Sequence, residues 1–570
     1  MSSAPLYFAG SKGAIFGWYH PPGGPAVRSC GVVLCPSLGI ELILGHRALR
    51  HIALRLAAAG FPVLRFDYHG TGDSAGDERE PERVNTWRAD LQAAADELRR
   101  RSGVSEISFF GLRIGATMSA VEAAQRGGAG SLVLWDPCLN GRSFVREMRV
   151  FAHMAQGSEA GGALDAAGFM LTAATQGDLA ALDLLSLARA PAPHVLIIST
   201  GQRPVAPRLA LHLGALGAAV RQRHLPDSFC LLTEPHLNTI PGLVIDAAVA
   251  FLKEVHPPRA SLRAVLPPRL EERVGHTPLR EEAVRFGPDE RLFGILTEPP
   301  PAAARPALPP ILLLNAGCIH HVGPNRWYVS LARQLAQLGH RVLRFDLSGL
   351  GDSQTTPGCI ENLMYPEDAL HCVRAAMSML ATRHGPGSGR FILAGLCSGA
   401  TVAFQAGLLD PRVVGLIMLN TAEFYFDHRA DCTYSAEDFA ARRYLRTLLW
   451  QRPQLRQGAR VMAAKARAVA RRALQRLRGR ATPVDVAADV RRLCQRRTEL
   501  LLVFAEDDVG RESLELHLGR SLRRPGGLPG VHLAVVRNAT HTFSSAESQR
   551  RTLQILTAHL RALYGSGAAW

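Results

Sequence analysis

Residues 395–399 read Gly-Leu-Cys-Ser-Gly. The apolar run Phe391-Ile392-Leu393-Ala394 leads in, and Ala400-Thr401-Val402-Ala403-Phe404 leads out. A small-x-nucleophile-x-small pattern between a strand and a helix marks a sharp, strained turn that lifts its middle side chain clear of the backbone. The middle residue is Cys397. A thiol at a helix N-terminus is favoured as thiolate by the dipole and by an imidazole beside it. Cysteine by itself is equally a small buried side chain, but the flanking glycines point to the turn.

Acyl chemistry needs a base, a group that orients the base, and donors for an oxyanion. Downstream, the apolar run 500–504 ends in Ala505-Glu506-Asp507-Asp508. A carboxylate just past a strand is placed to orient a base. Asp508 is the first candidate and Asp507 the second. The run 533–536 then leads to Arg537-Asn538-Ala539-Thr540-His541, so His541 is the predicted base. The order nucleophile, acid, histidine makes Cys397, Asp508 and His541 the predicted triad. The predicted oxyanion donors are the Ser398 N–H and one N–H from Asn315-Ala316-Gly317-Cys318-Ile319-His320-His321, with Cys318 preferred and Gly317 second. His320 and His321 shape this loop or touch the substrate. No Asp or Glu accompanies them at metal-ligand spacing, so no metal and no cofactor are assigned.

The elements that position these residues occur twice. Val63–Ser74 and Val342–Ser353 agree at nine of twelve positions when the chain is shifted by 279 residues. Residues 111–115, Gly-Leu-Arg-Ile-Gly, repeat the turn 284 residues before Cys397. Such offsets indicate duplicated domains. In the first copy Arg113 stands at the nucleophile position and cannot attack a carbonyl. The stretch after run 195–198, Ser199-Thr200-Gly201-Gln202-Arg203, has no carboxylate. His236 is read as a relic of the base, and the first copy as non-catalytic. The Asp-x-x-Gly-x-Gly-Asp-Ser segments lack a Gly-Lys-Ser/Thr ending and are read as structural turns, not phosphate loops.

Apolar runs alternate with helical periodicity in both halves. This predicts an α/β fold, each half a mostly parallel, doubly wound sheet. The Ala- and Leu-rich residues 138–190 are read as a helical insertion. The predicted organisation is a degenerate domain over 1–256, a proline-rich linker over 257–273, and a catalytic domain over 274–570 with a basic lid insertion over 423–496.

A chain of 570 residues with 47% hydrophobic content fits two large cores. No long apolar run predicts a transmembrane helix, and the first residues carry no secretory pattern. The ten cysteines form no Cys-x-x-Cys pair. This predicts neither a zinc module nor a disulfide framework, and a cytoplasmic setting. Much of the net charge of +16 is local: residues 442–480 hold twelve arginines and one lysine with no acidic residue. The segment is a solvated helical face or a landing surface for an acidic partner, with Arg467, Arg471, Arg472, Arg476 and Arg478 as candidate contacts. No nucleic-acid motif accompanies it, so nucleic acid is not a predicted partner.

Together these motifs resemble the α/β-hydrolases of the serine-aminopeptidase-like branch, in tandem. The first half, with Phe66–Ser74 and its arginine elbow, resembles hydrolase-like proteins encoded with bacterial exosortase systems. The second, with Asn315-Ala316-Gly317 and Gly323-Pro324-Asn325-Arg326, is similar to α/β-hydrolases found beside biosynthetic enzymes. A cysteine elbow departs from the usual serine. It resembles acyl-shuttling enzymes of nonribosomal peptide pathways and also dienelactone hydrolases. The resemblance implies two tandem α/β-hydrolase domains, each with a helical lid insertion. It implies acyl transfer from a carrier-protein or coenzyme A thioester, with an acidic carrier protein as partner and a phosphopantetheine arm on the substrate. Hydrolysis of thioesters, esters or lactones by the same triad is the alternative, and a non-catalytic scaffold the third reading.

Overall fold

The computed structural model describes residues 3–23, 27–154, 159–160, 162–200, 207–225, 233–258, 279–305, 307–385, 389–426, 485–519 and 528–564. Most of the predicted linker 257–273 and of the insertion 423–496, with Arg467, Arg471, Arg472, Arg476 and Arg478, lies outside them. The chain divides into two units, Met1–Ala283 with Asn325–Val329, and Val284–Pro324 with Ser330–Trp570.

In the first unit the strands are β1 (Ala4–Ala9), β2 (Ala14–His20), β3 (Cys30–Cys35), β4 (Val63–Phe66), β5 (Glu106–Leu112), β6 (Ala129–Trp135), β7 (Glu159–Ala160), β8 (Ala163–Ala166), β9 (Phe169–Leu171), β10 (His194–Ser199) and β11 (Ala219–His224). The second unit carries β12 (Arg280–Phe286, whose first residues group with the first unit), β13 (Leu292–Glu298), β14 (Ile311–Leu314), β15 (Val342–Asp346), β16 (Phe391–Leu396), β17 (Val413–Leu419), β18 (Glu499–Ala505) and β19 (Val531–Val536).

Two eight-stranded sheets share one strand order: β1-β2-β4-β3-β5-β6-β10-β11 and β12-β13-β15-β14-β16-β17-β18-β19. Both are antiparallel at their start, β2 with β4 and β13 with β15, and parallel from there on. The central strands are largely apolar because helices cover both faces. Val32, Val33, Leu34, Leu312, Leu314 and Leu393 are fully buried. The α/β expectation and the doubly wound sheets hold in both units.

One element was missed and one local expectation changes. The hairpin β1–β2 was not visible as a strand pair in the sequence. Residues 138–190 are not purely helical. Helices Gly141–Met154 and Ala173–Ala180 flank the three-stranded sheet β7-β8-β9. The reversal between β8 and β9 is made by Ala167 and Gly168, both at positive φ, with Asp165 accepting the Gly168 N–H at 2.6 Å. Alanine and leucine favour helix, but this turn overrides them locally.

Candidate active site

The second sheet sets five loops on one edge. β14 and β16 are parallel neighbours with Leu314 beside Gly395, and β16 runs beside β17 with Leu396 opposite Leu419. β17 pairs with β18 at Leu419 and Val503, and β18 with β19 at Ala505 and Val536. The carboxyl ends of β14, β16, β17, β18 and β19 are therefore level, and the crevice there is where open parallel sheets bind ligands.

Cys397 leaves β16 at φ 55°, ψ −115°, and the helix Ser398–Leu409 starts at the next residue. Its N–H donates to the Leu419 carbonyl at 2.9 Å, and its carbonyl accepts from Ala400 N–H at 3.1 Å. A β-carbon on Gly395 would meet the Gly399 carbonyl carbon at 2.3 Å, and one on Gly399 would meet the Asn315 oxygen at 2.6 Å. The glycines are required because backbone touches backbone on both sides of the turn.

Asp508 is buried and caps the helix Val509–Leu518, with Oδ1 accepting the Gly510 N–H at 2.8 Å. Its other oxygen, Oδ2, lies 2.6 Å from His541 Nδ1. Asp507 is exposed. The half-buried His541 side chain interacts with Cys397 as well. Burial opposes the charged ring, but Asp508 and Cys397 outweigh it and raise the imidazolium to about 10. The structure thus brings Cys397, His541 and Asp508 together.

The loop after β14 lies beside the elbow. Gly317, at φ 59°, donates its N–H to Ser398 Oγ at 2.8 Å. That bond engages the second-choice oxyanion donor, and Cys318 is the next residue. Cys318 Sγ is directed to the Asn362 carbonyl at 3.4 Å. Asn315 anchors the loop: Nδ2 donates to the Ile319 carbonyl and to Asp346 Oδ1, both at 2.9 Å, and Oδ1 accepts the Leu347 N–H at 2.8 Å.

His321 corrects one expectation. Sequence spacing gave it no acidic companion, yet its Nδ1 lies 2.7 Å from Asp346 Oδ2, with Asp352 adjacent. The carboxylates arrive from the end of β15 and the loop after it, so local spacing could not reveal them. His321, Asp346 and Asp352 hold their ligand-type atoms within 4.8 Å of one another, as do Cys30, Glu106 and His256 in the first unit. Both Asp346 oxygens are occupied, Oδ1 by Asn315 and Oδ2 by His321 and the Asp352 N–H. Ser108 and Ser131 hydroxyls lie 3.1 and 2.9 Å from His256 Nε2. Hydrogen bonding accounts for both clusters.

Asn420 escaped the sequence reading. It is fully buried, at φ 45°, one residue past β17. Its Oδ1 accepts the Ala505 N–H and its Nδ2 donates to the His541 carbonyl, both at 2.7 Å. It ties the end of the acid strand to the histidine loop. The available signal was its place after β17, matched by Asp136 after β6 at φ 44°. Asp136 Oδ1 accepts the Thr200 N–H at 2.8 Å.

The first unit keeps the elbow, with Arg113 at its centre. Arg113 has φ 53°, ψ −120°, and its N–H donates to the Trp135 carbonyl at 2.9 Å. Its guanidinium is 3.0 Å from Glu41 and pairs with Glu147. The nearby Cys138 thiol is pushed up to about 12 by burial, which Arg113 only partly offsets. His236 faces Glu234 at 3.6 Å.

Among the described residues no helix is long and apolar enough to cross a membrane. Residues 311–553 match the model of the alpha/beta hydrolase family, and residues 46–160 that of the serine aminopeptidase S33 family. No curated protein matches the chain. Similar solved structures include XC6422 from Xanthomonas campestris, an α/β serine hydrolase without a lid, at 19% identity and TM-score 0.31, covering 45% of this chain and 96% of that one. Est1E from Butyrivibrio proteoclasticus shares 15% identity at TM-score 0.33, over 44% and 98%. The Pyrococcus furiosus esterase PF2001 shares 14% at TM-score 0.33, over 44% and 91%. With a family model matched in each half, one strand order in both sheets and the same strained turn after β5 and β16, the chain belongs to the α/β-hydrolase superfamily.

Proposed function

We propose that the second unit is an enzyme that forms an acyl-thioenzyme on Cys397 and passes the acyl group from a thioester donor to an acceptor. The observation that carries this reading is His541, which lies 2.6 Å from Asp508 and interacts with Cys397. His541 takes the thiol proton, and Asp508 holds Nδ1 so that Nε2 faces sulfur. The thiolate adds to the donor carbonyl, and the Ser398 and Cys318 N–H groups stabilise the oxyanion. Collapse breaks the donor C–S bond, and His541 returns the proton to the departing thiolate. An acceptor amine, thiol or alcohol then gives its proton to His541, attacks the acyl-enzyme and frees Cys397.

A thiol nucleophile favours this chemistry. Exchanging one thioester for another is nearly thermoneutral, so the acyl group stays reactive enough to be handed on. The donor class is an acyl group on coenzyme A or on the phosphopantetheine arm of an acidic carrier protein. The arginine-rich residues 442–480 supply complementary charge. Hydrolysis, with water as acceptor, is the second reading, favoured by the hydrolase and peptidase names of the matching family models.

The test is intact mass spectrometry after incubation with a panel of acyl thioesters. One acyl adduct is expected, mapped to Cys397, released by hydroxylamine and absent in Cys397→Ala. No adduct with any donor, or an adduct on another residue, overturns the assignment. Adduct lifetime in buffer with and without added amines or thiols separates transfer from hydrolysis.

A further inference from the structure

Ser398 contributes a backbone donor to the site, but its hydroxyl has a separate position that the mechanism above does not use. The side chain is buried, 1% exposed, on the first turn of the elbow helix. Its Oγ accepts the Gly317 N–H at 2.8 Å. The loop that must present the Cys318 N–H is also held by Asn315 Nδ2 on the Ile319 carbonyl, by Cys318 Sγ toward the Asn362 carbonyl, and at its ends. Asn315 and His321 both bond the fully buried Asp346. Between those anchors Gly317 turns at φ 59°, and a β-carbon there would meet nothing within 4 Å. At Gly317 itself the backbone is held by the hydrogen bond to Ser398, while Cys318 packs against the core of the unit.

We propose that Ser398 is a positioning residue: its hydroxyl latches Gly317 so that the Cys318 N–H faces the oxyanion at a fixed distance from the Ser398 N–H. The proposal rests on the acyl-enzyme reading above and names what sets the geometry of its oxyanion hole. Because one residue supplies both a donor and the latch, elbow and loop cannot drift apart independently. The first unit fits this logic. Its elbow carries Arg113 instead of a nucleophile, and the residue that follows is Ile114, buried and without a hydroxyl.

The experiment compares two reactions of the same thiol in the full chain. Alkylation by iodoacetamide displaces iodide and forms no oxyanion. Acylation by S-phenyl thiobutyrate does form one. Ser398→Ala is expected to slow acylation about 10- to 100-fold, below the full loss of an oxyanion donor, while Cys397 alkylation stays within about twofold. Ser398→Thr is expected to keep acylation within about threefold of wild type, and Ser398→Val, of the same shape without the hydroxyl, to match the alanine variant. The threonine–valine pair decides the matter if the alanine variant does not fold. Equal acylation of the threonine and valine variants, or alkylation falling in step with acylation, overturns the latch and leaves the nucleophile standing. A wild-type Cys397 that takes iodoacetamide but no acyl group overturns the acyl-enzyme reading and the latch with it.

Discussion

In the proposed mechanism His541 takes the Cys397 proton and passes it to a leaving group. Its raised affinity comes from two neighbours, and Asp508 is the one that can be changed without touching the nucleophile. Asp508→Asn should slow Cys397 acylation by about 10²-fold or more, since an amide cannot hold the ring in the productive tautomer. Asp507→Asn should change it less than threefold, because Asp507 is exposed. Stability should follow the same group. A histidine raised from about 6.5 to about 10 stabilises the fold fully below the lower value and loses that contribution as pH rises through the upper one. The urea midpoint of wild type should therefore exceed that of His541→Gln most at pH 6 and converge toward it by pH 10. A gap that widens with pH would mean that the ring is neutral in the fold.

The level ends of β14, β16, β17, β18 and β19 explain which site residues the sequence could reveal. Cys397, Asp508 and His541 each follow an apolar strand and keep the order of their family, so local patterns find them. The Ser398 N–H was legible for the same reason, while its hydroxyl contact with Gly317 was not. Asn420 was invisible because its role exists only when three parallel strands are in register, with Leu419 beside Val503 and Ala505 beside Val536. His321 and Asp346 meet across β14 and β15, which no spacing rule anticipates. The Gly168 turn was hidden by helix-favouring neighbours. Asn420→Ala tests the register argument. It strips partners from the Ala505 N–H and the His541 carbonyl, at a cost of about 1–3 kcal/mol. The urea midpoint should fall accordingly, and acylation of Cys397 should slow by about tenfold as the histidine loop loosens. An unchanged acylation rate would show that Asp508 alone places His541.

At the scale of the whole chain, one topology appears twice with different residues at the elbow, Arg113 and Cys397. The first unit still forces a non-glycine residue into the strained turn, as Arg113 at φ 53° shows. It spends that position on an ion-pair cluster with Glu41 and Glu147. Burial raises the Glu147 carboxyl and Arg113 only partly offsets it, so removing the guanidinium leaves two crowded carboxylates. Breaking a fully buried pair costs roughly 3–5 kcal/mol. Glu147 is half-exposed, so Arg113→Ala should cost about 1–3 kcal/mol by urea denaturation. Turnover on a small acyl thioester should stay within about threefold. Arg113→Cys is the sharper test, because it restores a thiol to an elbow of the same backbone geometry. His236 is engaged with Glu234, and the described residues Ser199 and Thr200 after β10 offer no carboxylate. The new thiol should therefore react with iodoacetamide and with S-phenyl thiobutyrate at least tenfold more slowly than Cys397 in the same molecule, as read by peptide mapping. Equal labelling of the two elbows would mean that geometry alone activates the thiol, and that the imidazole beside Cys397 contributes little.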